Sequence, residues 1–143
     1  MADNTRFFDI NKAAYDQLVA NWTTLPAILD NDDGEGLDLT AGYVQISMNS
    51  FSSDPASING STPKIRTSGT FTINILTPQN QSIGKGMSYA SQIAQFFSGT
   101  NFSGVQMLMP APSAAQSIKN PKGQFWLTPL ICGFYYDTNI TIL

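Results

Sequence analysis

Apolar positions near the start of the chain recur three and four residues apart, at Phe7, Ile10, Ala14 and Leu18. Tyr15, Val19 and Trp22 lie beside them, and Asp9, Lys12 and Asp16 fall on the opposite side. The spacing predicts an amphipathic helix of about four turns. Pro26 closes the region, because the residue before a proline is pushed out of the helical basin. Residues 30–38, DNDDGEGLD, are acidic and contain glycine, and they read as an exposed loop. Val44, Ile46 and Met48 then alternate with Gln45, Ser47 and Asn49, the period of a strand with one dry face. Residues 52–63 are small and polar and read as a loop. A second strand follows, with Phe71, Ile73 and Ile75 facing one way and Thr70, Thr72 and Asn74 the other, and Pro78 ends it.

Ile83, Met87, Ala90, Ala94 and Phe97, with Ile93 on the same side, predict a second helix that Gly99 terminates as a C-cap. Val105, Met107 and Met109 suggest a short strand, and residues 111–122 read as a polar, proline-bounded loop. From Gly123 to about Tyr136 the chain is apolar on both faces of a strand. Phe125, Leu127, Ile131 and Tyr135 lie on one side, and Trp126, Leu130, Cys132 and Phe134 on the other. Two explanations stand side by side: a partner subunit covers the second row, or the strand is central in a two-sided fold. Pro129 cannot donate to a ladder and marks an edge or a bulge. The order helix, strand, strand, helix, strand, strand gives an α+β fold: a mainly antiparallel β-sheet with two helices packed on one face. The 143 residues fit one domain, 1–143.

Only 12% of residues are charged, about half the usual share. Ser, Thr, Asn and Gln must therefore cover the surface, which suits a subunit packing against copies of itself. The net charge is −3 and the cations are scattered, so no basic stripe exists for direct nucleic-acid recognition. No window approaches the length of a membrane span, and the first residues lack the pattern of a signal peptide; neither membrane insertion nor secretion by signal peptide is expected.

Histidine is absent, which removes the usual general base of serine and cysteine nucleophiles and the commonest transition-metal ligand. Cys132 is the single cysteine, so no intrachain disulfide forms, and its setting in LICGFYY predicts an inert buried thiol. No register of the acidic 30–38 segment meets the ligand positions of a calcium loop, and it reads as a solvated turn. Gly84-Lys85-Gly86 lacks the upstream glycine of a phosphate-binding loop; these glycines instead permit close approach to a neighbour. No catalytic, cofactor-binding or metal-binding residue is expected, and the chain does not read as an enzyme.

The order of segments resembles the phage tail-terminator family. The segments are the helix from Tyr15 to Trp22; Leu25-Pro26; GYVQISM at 42–48; RTSGTFTINI at 66–75, followed by Pro78 and Gly84; and QFWLTPL at 124–130 with Phe134. The likeness spans nearly the whole chain and lies in order and spacing, not in a catalytic signature. The sequence departs from the family in the loop after the first helix, where the acidic run stands in place of an aromatic residue. The resemblance implies a virion protein of the tail-neck region, assembled in the host cytoplasm, that forms a homo-hexameric ring. The ring would cap the head-proximal end of the tail tube, end its polymerisation and join the tail to the head connector, with tube protein and connector protein as partners.

On this reading Trp126, Leu130 and Phe134 are expected at the subunit interface. Ser52, Asn59, Lys64, Arg66, Lys119 and Lys122, in or beside the two polar loops, are expected to contact the rest of the particle. A head-completion or connector protein is the alternative within the virion. A carbohydrate- or receptor-binding module, suggested by Trp22, Trp126 and the amide- and hydroxyl-rich surface, is the alternative from another class.

Overall fold

A computed structural model describes residues 6–29, 39, 41–57, 64–80, 84–102, 104–120 and 123–139. The N-terminal apolar spacing is realised as α1 (Arg6–Asn21), with Ile10, Ala14 and Leu18 buried and Lys12 paired to Asp16 on the exposed side at 3.2 Å. Burial of each large aliphatic side chain contributes roughly 1.5–3 kcal/mol, so this stripe, and not the exposed ion pair, holds the helix down. A short strand β1 (Ala27–Leu29) follows Pro26, and then come two strands far longer than the apolar alternation alone marks, β2 (Tyr43–Ser57) and β3 (Lys64–Pro78).

The second helix, α2 (Gly84–Phe97), buries Gly86, Ala90, Ile93 and Phe97. The buried stripe is thus offset from the expected one, and Met87 faces outward. Gly99 takes φ +65° just past the helix, the left-handed C-cap that the sequence indicates. Five strands follow among the described residues: β4 (Asn101–Phe102), β5 (Val105–Met107), β6 (Ala111–Pro112), β7 (Gln116–Asn120) and β8 (Gly123–Asn139).

The protein is mixed α/β, with two helices and one large, mostly antiparallel sheet in the order β1-β2-β3-β8-β5-β4; β6 and β7 pair with β8 farther along. Among the described residues only β1 and β2 run parallel. β3 is in register with β2 from Leu76 down to Lys64, and with β8 over Lys64–Pro78, so it is laddered on both sides. Two readings of loop are corrected here. Residues 52–57 continue β2, because β3 supplies a ladder partner to a sequence with little strand propensity of its own. Within 111–122, β6 and β7 pair with β8 in the same way. Met109 is exposed and lies beyond β5, where Pro110 interrupts the ladder.

The main core joins Ile10, Ala14, Leu18 and Trp22 to Ala90, Ile93 and Phe97 over alternate residues of the strands: Val44 and Ile46, Phe71, Ile73 and Ile75, and Leu130, Cys132 and Phe134. Trp22 also donates from Nε1 to Gln92 Oε1 at 2.9 Å and meets Tyr89 edge-on, which ties the end of α1 to α2. On the other face, at one end only, Ile28, Leu39, Tyr43, Leu76 and Phe125 form a second cluster, with Ile118 and Leu127 packed against it.

Candidate functional site

The second sheet face is dry at the Phe125 end and wet in its middle. Along the middle, residues of β2 and β3 present amides and hydroxyls: Asn49 Nδ2 donates to Thr72 Oγ1 at 2.7 Å and to Thr70 Oγ1 at 3.3 Å, and Asn74 Nδ2 donates to Ser47 Oγ at 3.4 Å. Beside this neutral polar strip β8 contributes Ile131, 41% exposed, and the neighbouring Leu108, 50% exposed, lies over Gly133 and donates from its backbone to Gly133 O. The chain thus covers part of the second apolar row of the terminal strand itself. Its Phe125 end is covered by the chain itself, while Ile131 stays open.

At the far end of the strands Arg66 makes a bidentate contact with Asp137, Nε to Oδ1 at 2.9 Å and Nη2 to Oδ2 at 3.1 Å, and stacks over Tyr135 at 4.3 Å from the ring centroid. The hydrogen bond to Asp137 raises the Arg66 pKa. Register explains the cluster, since Arg66 lies opposite Asp137 and Ser68 opposite Tyr135. Nothing in the linear spacing of 66, 135 and 137 announces it.

The expected interface trio is separated by the structure. Leu130 and Phe134 are buried in the chain's own core, on the side of the strand that meets Phe71 and the helices, and have no surface to offer a partner. Trp126 is half-buried and lies opposite Thr77 on one side and Ser117 on the other. Of the expected contact residues, Ser52 and Arg66 are exposed on β2 and β3, Lys64 begins β3 opposite Ser57, and Lys119 is exposed on β7. Asn59 and Lys122 lie outside the described residues, as does the acidic 30–38 segment. Ser52 and Lys119 thus belong to edge strands and not to loops.

Burial pushes the Cys132 thiol up to about 12, so it holds its proton at neutral pH. Among the described residues no three His, Cys, Asp or Glu side chains gather to hold a metal ion, and no helix is long and apolar enough to cross a membrane.

No family model matches the chain, and no curated protein matches its sequence. Among solved structures, one with no functional name superposes with a TM-score of 0.55 at 14% identity, over 95% of this chain and 96% of its own. At that identity the likeness is one of fold. A chain from the virion of a native gene transfer agent (GTA) particle aligns with a TM-score of 0.49 at 15% identity, over 89% of this chain and 94% of its own.

Proposed function

We propose that the chain is a non-enzymatic structural protein of a phage-like virion, which forms a ring at the head-proximal end of the tail tube, ends tube polymerisation and joins the tail to the head connector. One observation carries this reading. The segments through which the sequence resembles the tail-terminator family, 42–48, 66–75 and 124–130, lie on β2, β3 and β8, three adjacent strands of one sheet. A likeness spread along the sequence is thus gathered into one part of the sheet, with alternate residues in the core and the others on its second face. A surface of amides and hydroxyls on long paired strands also suits packing against other subunits.

Electron microscopy of particles made without the protein tests the proposal. Overlong tails are the expected result. Tails of normal length that fail to join heads would transfer the protein to the connector, and unaltered particles would remove both roles.

A further inference from the structure

α2 is held to the sheet unevenly. From Ala90 onward it buries Ala90, Ile93 and Phe97, and Gln92 accepts the hydrogen bond from Trp22. Its first turn puts no side chain into the core: Gly84 and Gly86 have none, and Lys85 and Met87 are exposed. Helices in proteins are held chiefly by the packing of an apolar face, so the turn at 84–87 has little beyond its own backbone bonds to keep it wound. Both glycines are poor helix formers. Lys85 sets a cation at the positive end of the helix dipole, with no acidic residue in the first turn to offset it. Its ammonium is 5.8 Å from the centre of the Tyr89 ring, near the limit of a cation–π contact.

What lies beneath the turn favours opening. A Cβ at residue 86 would overlap the Thr128 hydroxyl and stand 3.8 Å from that of Thr77. Both threonines are 0% exposed, and neither hydroxyl has a hydrogen-bond partner among the described residues. With the turn down, each hydroxyl has given up water without replacement, and lifting the turn returns it. Opening therefore loses the backbone bonds of one turn and rehydrates two hydroxyls, while the apolar anchors from Ala90 onward stay in place. We propose that residues 84–87 form a lid that unwinds by itself, hinged at Ser88 and Tyr89, and uncovers Thr77 and Thr128 while residues 90–97 stay docked. The lid makes this end of the sheet adjustable without disturbing the core, and it does not depend on the role proposed above.

Hydrogen exchange of the full chain at low urea concentrations tests the lid. The amides of Ser88, Tyr89 and Ala90 bond to carbonyls of 84–86 in a regular helix. They should exchange at least roughly tenfold faster than those of residues 94–97, and with little dependence on urea, the mark of a local opening that exposes little surface. Equal rates with equal urea dependence would overturn the proposal. Thr77→Val has no hydroxyl to rehydrate and should slow the three amides about fivefold; no slowing would also overturn it. Access to the floor of the lid is read with Thr77→Cys, in which the new thiol should react with iodoacetamide well before Cys132, buried on the same side of the sheet. Labelling of both thiols at one rate, followed by peptide mass spectrometry, would show that only global unfolding exposes them and would sink the lid.

Discussion

Gly86 in the first turn of α2 rests directly on Thr128 of β8: a Cβ built there would overlap the threonine hydroxyl and stand 3.1 Å from its Cβ. The glycine therefore sets how closely the helix approaches the sheet. Gly86→Ala is expected to lose about 1 kcal/mol net, because overpacking costs typically 1–3 kcal/mol and alanine recovers about 1 kcal/mol of helix propensity. In a Thr128→Ala background the same change should become neutral or stabilising. Urea denaturation of the four proteins checks this, and equal losses in both backgrounds would show that the contact is not the cause.

Beside Thr128, Thr77 is fully buried, and neither hydroxyl has a hydrogen-bond partner among the described residues. Burial of an unpaired hydroxyl costs stability, whereas a methyl in its place costs none. Thr77→Val should therefore stabilise the protein by about 1 kcal/mol. A fall in the thermal midpoint would mean that the hydroxyl is satisfied in solution.

Two residues of β8 three positions apart should behave oppositely. Phe134 is 1% exposed within the main core, and Phe134→Ala should cost about 3–5 kcal/mol of folding stability. Ile131 is on the open face, and Ile131→Ala should cost below about 1 kcal/mol. Far-UV circular dichroism with denaturant titration separates them; a well-folded Phe134→Asp protein would contradict the placement of that side chain.

The Cys132 thiol, pushed up to about 12 by burial, makes stability depend on alkaline pH. Below the unfolded value of about 8.5 both states hold the proton and the group contributes no pH dependence. Between that value and the native one, the unfolded chain ionises while the native chain does not. Stability should fall as pH rises through this window, by more than in a Cys132→Ala protein. Iodoacetamide should label the native thiol far more slowly than the unfolded one at pH 9; equal rates would contradict its burial.

Much of this was legible in the sequence where apolar residues keep a strict period. The Ile10, Ala14, Leu18 stripe and the Phe71, Ile73, Ile75 row are both buried as their spacing indicates. Legibility stopped where a neighbour decides conformation. Residues 52–57 and 116–120 carry Ser, Pro, Asn and Lys with no alternation, and they are strands because the strand that follows each of them, β3 or β8, folds back beside it as a ladder partner. The same limit applies to the surface. Apolarity on both faces of β8 showed that something must cover the second row, but Ile28 and Leu39 lie too far away in sequence for any local pattern to connect them to Phe125.

The double laddering of β3 has a mechanical consequence. A pull along the strand would load the hydrogen bonds to β2 and β8 in shear, many together, so that no single pair yields alone. A pull across the sheet would peel the same bonds one after another, each at a small force. The resistance of the protein to rupture is thus anisotropic, and its strong axis runs along the strands.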